Sequence, residues 1–357
     1  MSQGPIRVHP DVLRDYSAQI LERTGMPREA AARVAHSLVE AELRGVSSHG
    51  IMRLLPYVKK LRAGGTKANP DIRVIREGPT TAVVDGDHGM GQVVGTYAME
   101  LAIQKAETYG VSMVVARNSE HFGAAAYYAM MAARKGMIGM VWSNTDPVMA
   151  AWGGKGAAIG NNPLAVAVPT KEDPPLVLDV SFSKVAGGKV RLAAKKGEKI
   201  PTDWIIDRNG VPTDDPNELP RGGALLPLGH KGYGLAIISE VFSGVLSGAG
   251  VLSGVIDWLG VPDKPAYVCH AMSAFKVECF MPLDEFKERV ERMRAELRSC
   301  PPGEGYDRVL VPGDIEFELA EKQKDGLDIP FEVYQDLCNL GDELGVDKSL
   351  LTASSRQ

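Results

Sequence analysis

The chain has 357 residues, 44% hydrophobic and 24% charged, with a net charge of -5. Ordinary apolar content and low net charge exclude a mainly disordered chain, and the lack of a cationic surplus excludes a dedicated nucleic-acid binder. The four cysteines, at 269, 279, 300 and 338, form no C-x-x-C pair, so neither a zinc site nor a disulfide scaffold is expected.

Length allows roughly two domains. The N-terminal stretch MSQGPIRVHPDVLRDY has no apolar signal core, which suits a cytoplasmic protein. Helical spacing starts at Pro10 or Asp11 and stops at Gly25. A second helix follows Met26-Pro27, with Ala31, Val34, Ala35, Leu38, Val39 and Ala41 on its apolar positions. A third follows Ser48-His49-Gly50 and ends at Gly64-Gly65.

From residue 72 to about 220, strands and helices alternate. Strands are expected at 81–85, 111–116, 138–142, 164–168 and 176–179, and helices at 92–109 and 124–135. The segment 231–250, KGYGLAIISEVFSGVLSGAG, reads as one long helix with small packing faces, buried within a domain or at a dimer seam. Glu240 and the Ser and Gly content argue against a membrane span. A charged amphipathic helix is expected at 282–298 and a C-terminal helix at 331–345.

Two patterns carry chemistry. Gly86-Asp-His-Gly89-Met-Gly91-Gln-Val-Val-Gly95 lies between a strand and a helix, a near-match to the glycine fingerprint that holds a dinucleotide pyrophosphate. Its spacing is one residue off, and the next strand ends in Ala116-Arg117 instead of an acid. The second pattern is three histidines in glycine-flanked polar turns: His49, His121 and His230. Imidazole titrates near neutrality, and flanking glycines let a ligand come close. Arg53, four residues after His49, can fork a carboxylate while the histidine works on the adjacent carbon. That combination suits a 2-hydroxy or 2-oxo acid. The H-E-x-x-H and G-x-S-x-G patterns are absent, so neither metal ligation nor serine hydrolysis is supported.

Several stretches together resemble the non-Rossmann malate/L-lactate dehydrogenase family. They are AELRGVSSHGIMRL (41–54), DGDHGMGQ (85–92), NSEHFG (118–123) with WSNT (142–145) and GNNP (160–163), Leu178-Asp179 through Gly188-Lys189 to PTDDP (212–216), LPLGHKGYG (226–234) and VPGD (311–314). Relatives of that family include sulfolactate, ureidoglycolate and diketogulonate oxidoreductases and cyclic-imino-acid reductases.

The resemblance implies an α+β fold: a mainly helical domain built from N-terminal and C-terminal segments, and a mixed-sheet, non-Rossmann cofactor domain. The expected division is 1–72 plus 225–305 for the helical substrate and dimerisation domain, 73–224 plus 306–330 for the NAD(P) domain, and 331–357 for a C-terminal helix and tail. It implies a homodimer acting on a small 2-oxo or 2-hydroxy acid with NAD or NADP, with no metal, nucleic acid or membrane. The alternatives are a cyclic-imino-acid reductase, a ureidoglycolate-type dehydrogenase, or a non-catalytic dinucleotide-binding protein.

By the same resemblance His49 and His121 are the proton carriers, with Ser48 and Arg53 near the substrate. A protonated His49 would serve reduction. Cofactor contacts fall at Ser143 and Asn144, at Leu178, Asp179, Val180, Ser181, Phe182, Ser183 and Lys184, at His230 and Lys231, and at Gly313, Asp314 and Ile315. The Gly89–Gly95 loop is then no pyrophosphate loop. Two departures, Pro-Gly-Asp for P-G-E and Val180-Ser-Phe-Ser183 for A-T-S, leave NAD against NADP open.

Overall fold

The computed structural model describes residues 4–353; residues 1–3 and the tail end 354–357 lie outside it. After β1 (Ile6–Val8), the His9 side chain accepts a hydrogen bond from the Asp11 N–H at 3.3 Å, and Pro10 fills the first helical position. These fix the start of α1 (Pro10–Glu22), which packs on α2 (Arg28–Leu43). Two short 3-10 turns, Ser47–His49 and Ile51–Arg53, precede α3 (Leu54–Ala63), which stops at Gly64 in the left-handed region.

The chain then builds β2 (Arg73–Glu77), β3 (Thr81–Gly89), α4 (Gly91–Tyr109), β4 (Val111–Ser119), α5 (Ala126–Ala133), β5 (Met137–Ser143), β6 (Leu164–Val168) and β7 (Leu176–Val180). Next come α6 (Gly187–Lys196), the short strands β8 (Ile205–Ile206), β9 (Pro212–Thr213) and β10 (Ala224–Leu225), and α7 (Gly229–Glu240). β11 (Val268–Lys276), α8 (Leu283–Arg298), α9 (Asp314–Gln323), β12 (Leu327–Ile329), α10 (Phe331–Leu344) and α11 (Ser349–Ala353) complete it.

Seven strands form one mixed sheet in the order β2-β3-β4-β11-β5-β6-β7, and β8–β10 form a small second sheet. Only β3 and β4 run parallel, joined by α4 as a crossover; the other pairings in the large sheet are antiparallel. α4 and α5 cover one face, and their alanines and Val94, Met99 and Tyr128 share a core with the strands. The π-helical turn Val241–Val245, which extends α7, packs on β4, β5 and β11. A second core joins α1–α3 with α10, β1 and β12.

Two expectations are corrected. Residues 268–276, placed with the helical part, are the central strand of the sheet, flanked by β4 and β5. Their run V-C-H-A-M-S-A-F-K lacks strict alternation because both faces are covered, which hides a strand from a period-two search. Residues 327–329, placed with the cofactor part, pair with β1 in the N-terminal core. The segment 231–250, expected to be buried within a domain or at a dimer seam, has one face buried within the chain and one that the chain itself leaves uncovered. Ala236, Ser239, Glu240, Ser243 and Gly244 face inward, while Leu235, Ile238, Val241, Phe242, Val245 and Leu246 are exposed on this chain. Glu240 is buried because it accepts from Asn144 Nδ2 (3.1 Å), Asn162 Nδ2 (2.7 Å) and the Leu252 N–H (3.0 Å).

Candidate active site

The site forms where the turn between α2 and α3 meets the end of β4. Glu42 builds that turn. It is buried and accepts from Ser47 Oγ at 2.6 Å and from the Ile51 N–H at 2.9 Å. Gly50 lies so close to Glu42 Oε2 that a Cβ there would stand 2.0 Å from it. The carboxylate thus replaces the hydrogen bonds that two broken helical turns cannot make for themselves.

The turn presents Ser48, His49 and Arg53. His49 Nδ1 lies 3.0 Å from Ser48 Oγ, and Arg53 Nε donates to the Ser48 carbonyl at 2.6 Å. The Arg53 guanidinium sits 5.3 Å above the Trp258 ring. His121 stacks on both partners, with its ring centroid 5.5 Å from His49 and 4.4 Å from Trp258.

Tyr57, on α3, fixes the His121 tautomer. Gln92 Nε2 donates to the Tyr57 hydroxyl at 2.9 Å, and that hydroxyl lies 2.7 Å from His121 Nδ1. With its oxygen accepting from Gln92, Tyr57 gives its proton to Nδ1, so the neutral ring carries its hydrogen on Nε2.

Burial, then the Arg53 charge, push His49 down to about 4. Burial, then His49 and Arg53, hold His121 well below the usual imidazole value. Both rings are therefore neutral at physiological pH in the unliganded chain.

A buried ion pair backs this cluster. Lys60 Nζ lies 3.3 Å from Glu120 Oε2 and donates to the Lys264 carbonyl, while Glu120 Oε1 accepts from the Ala266 N–H at 2.8 Å. These bonds pin the loop that carries Trp258. Burial outweighs Lys60 and pushes Glu120 up to about 7.

The expected cofactor segments also meet. The turn after β7 runs beside the start of α7: Phe182 O accepts from the Leu228 N–H and Leu226 O from the Lys184 N–H, each at 2.8 Å. Gly313, with φ +96°, abuts β7, where a Cβ would stand 3.3 Å from Val177 N. Leu178, His230, Lys231 and Ile315 are exposed along this edge. Asp179 accepts from the Ala126 N–H at 2.8 Å and caps α5. Ser181 and Ser183 are 3.5 Å apart through their hydroxyls, Phe182 is buried, and Val180 packs on its cluster.

Two groups are otherwise engaged. Lys184 pairs with Asp203 at 3.0 Å, and Asp314 is held by Arg298 at 2.5 Å. Ser143 and Asn144 are buried and spend their side chains inside the chain: Ser143 on the Cys269 carbonyl and His270, Asn144 on Glu240, the Gly250 carbonyl and the Cys269 N–H. The two regions touch through α6, whose Gly188 would bring a Cβ within 3.9 Å of Ser48 Cβ.

The pattern of malate/L-lactate dehydrogenases matches residues 8–338. The chain is 43% identical to a malate dehydrogenase of Pyrococcus horikoshii, across 97% of this chain and 98% of that one. It is 39% identical to an L-sulfolactate dehydrogenase of Methanocaldococcus jannaschii, across 92% and 94%. A solved malate dehydrogenase from Entamoeba histolytica superposes with a TM-score of 0.92, at 34% identity over 97% of this chain and 99% of that one. The chain belongs to the malate/L-lactate dehydrogenase family.

In this dehydrogenase the glycines 89–95 are points of close packing within the chain. A Cβ on Gly91 would stand 2.3 Å from the Glu120 carbonyl oxygen and 2.6 Å from that of His121. One on Gly89 would meet Pro70 at 2.5 Å, and one on Gly95 would meet Tyr128 at 2.9 Å. Gly91 lets the start of α4 press its backbone against the turn that holds His121, while Gly89 and Gly95 make room for Pro70 and the Tyr128 ring.

Sequence reasoning missed Glu42, Tyr57, Lys60, Gln92, Glu120 and Trp258 in this site. Gln92 and Glu120 stand inside quoted motifs and were legible as polar residues beside the glycines. Trp258 and Tyr57 carry no local signal, because their role arises only when distant loops meet.

Proposed function

We propose that this dehydrogenase moves a hydride between an NAD or NADP nicotinamide and C2 of a small 2-hydroxy or 2-oxo acid of the malate, lactate or sulfolactate type. The observation that carries this reading is the stacked, neutral His49–His121 pair beside a guanidinium with free terminal nitrogens. Arg53 commits Nε to the Ser48 carbonyl, which leaves its two terminal nitrogens to fork a substrate carboxylate.

The cofactor supplies or accepts the hydride when bound. The chain's residues suit such a group. The N-terminus of α7 brings Gly229, His230 and Lys231 to the surface beside the Ser181–Lys184 turn, an arrangement suited to phosphate charge. Gly313 leaves the β7 edge open where a side chain would fill it. Leu178–Lys184, His230, Lys231 and Gly313–Ile315 would hold the cofactor. Ser143 and Asn144 would act from behind, by fixing the strand ends.

His49 Nδ1 is engaged with Ser48, so Nε2 is the nitrogen that takes the hydroxyl proton during oxidation and returns it to the carbonyl oxygen in reduction. A bound carboxylate offsets the Arg53 charge and raises the His49 pKa toward the working range. Arg53 holds the acid in a near-attack position, and the Trp258 and His121 rings keep water from it.

A homodimer completes the proposal. The exposed stripe Leu235, Ile238, Val241, Phe242, Val245 and Leu246 is a continuous apolar face suited to a second copy. No described helix is long and apolar enough to cross a membrane, and no described group of His, Cys, Asp and Glu is arranged to hold a metal.

The test is nicotinamide absorbance with purified protein, NADH or NADPH, and pyruvate, oxaloacetate, sulfopyruvate and piperideine-2-carboxylate in turn. Turnover of 2-oxo acids supports the reading. Turnover of the cyclic imine alone would replace it with an imine reductase.

A further inference from the structure

α6 starts two residues after the Ser183–Val185 turn, and it opens with Gly187-Gly188. Its second glycine lies against Ser48, with 3.9 Å between the position of a Cβ there and Ser48 Cβ. One helical turn on, Arg191 folds back over the first: Nη2 stands 3.3 Å from where a Gly187 Cβ would be. The glycine therefore leaves room for the guanidinium to lie along the end of α6 that faces the His49 turn.

Arg191 is exposed and, unlike Arg117, Arg294 or Arg298, has no carboxylate partner within ion-pair distance among the described residues. Its charge nevertheless reaches the site, where it opposes that of Arg53 and is felt by the carboxyl of Asp146. Two guanidiniums thus lie within electrostatic reach of one another near the Ser48–His49 turn, Arg53 on the turn itself and Arg191 on the helix packed against it. A ligand with one carboxylate satisfies Arg53 and leaves the second cation unanswered. A ligand with a second anionic group just beyond C2 answers both.

We infer that Arg191 is a specificity-determining residue that receives the distal anionic group of the substrate, a C4 carboxylate or C3 sulfonate, and so selects dianionic 2-oxo and 2-hydroxy acids over monoanionic ones. The inference rests on the 2-hydroxy-acid reading above. A dianion therefore relies on Arg191 more than a monoanion does.

The experiment compares wild-type protein with R191Q and R191K. It measures kcat/KM for oxaloacetate, sulfopyruvate and pyruvate, and NADH and NADPH affinity by fluorescence titration without substrate. Loss of a charge-assisted fork should cut kcat/KM of R191Q for the two dianions about 10- to 100-fold. Pyruvate kcat/KM should change far less than that of either dianion, cofactor affinity and thermal midpoint should not change, and R191K should fall between. An equal fall for all three acids, or no fall, overturns the inference and leaves the 2-hydroxy-acid reading standing. Weakened NADH and NADPH binding in R191Q also overturns it, by making Arg191 a cofactor contact. A wild-type protein that turns over none of the three acids removes the parent reading and the inference with it.

Discussion

The imidazoles of His49 and His121 lie stacked, with centroids 5.5 Å apart and planes 15° from parallel. Two cations cannot share that contact in a buried recess, so the pair takes up at most one proton beyond its two neutral rings. Tyr57 donates to His121 and thereby favours its neutral form, which leaves His49 as the ring that carries the proton. The division of labour comes from a hydroxyl on a neighbouring helix and from neither histidine's own sequence context.

Removing that hydroxyl tests the division. In Y57F, His121 Nδ1 loses its donor and Gln92 Nε2 its acceptor. A stability loss of about 1–3 kcal/mol is expected by urea denaturation, because two buried polar atoms lose their partner. Turnover should fall and its acid limb should move upward, since His121 is then free to take a proton. An unchanged pH profile would separate Tyr57 from the proton path.

Stability should depend on pH in a defined window. His49 and His270 sit at about 4 and about 3 when folded, against about 6.5 for a free imidazole, and His121 is also depressed. Below about 6.5 the unfolded chain binds more protons than the folded one, so this contribution is present above that pH and lost as pH falls toward 4 and 3. Glu120 acts in the opposite sense: raised from 4.5 to about 7, it stabilises below 4.5 and loses that contribution as pH rises through 7. Urea midpoints should begin to fall near pH 6.5 on the acid side, above the carboxylate range. A midpoint that stays level down to pH 5 would contradict these directions.

Gly91 and Lys231 separate the two candidate cofactor sites. G91A forces a methyl against the Glu120 and His121 carbonyls and should destabilise the protein by about 1–3 kcal/mol, as overpacking does. At a temperature where G91A remains folded, its NADH affinity should match wild type. K231A should fold normally and bind NADH and NADPH more weakly. Normal binding by K231A together with abolished binding by folded G91A would return the pyrophosphate to the glycine loop.

The dimer is tested on the exposed stripe. Analytical ultracentrifugation should show twice the chain mass for wild type and a monomer for the double variant I238D/F242D, whose changed residues face solvent in the isolated chain. A wild-type protein that sediments as a monomer at micromolar concentration, with full activity, would defeat the dimer.

Much of the fold was legible because it rests on local signals. Gly25, Gly64 and Gly110, each at positive φ, mark the loop after α1 and the ends of α3 and α4 where the sequence places them. The central strand β11 was not legible: its neighbours β4 and β5 come from far away in the chain, and burial on both faces erases its alternation. In the site, the turn residues Ser48, His49, Arg53 and His121 stood out by chemistry and flanking glycines. The residues that orient them did not. Trp258 and Lys60 are ordinary core-like positions until a loop some two hundred residues away is laid over α3. The apparent dinucleotide loop shows the converse: small residues at close spacing report that something comes near, and here it is other parts of the chain, the Glu120–His121 backbone at Gly91 and the side chains of Pro70 and Tyr128 at Gly89 and Gly95.

The most direct test of the central claim is hydride transfer in H49A. The rate of NADH or NADPH oxidation with the best 2-oxo acid is measured alongside cofactor affinity by fluorescence titration. Loss of the proton carrier should lower turnover about 10²- to 10⁴-fold with cofactor affinity and thermal midpoint unchanged. H49A that turns over at the wild-type rate would take His49 out of the mechanism, and an equal loss confined to H121A would move the proton to the other ring of the stack.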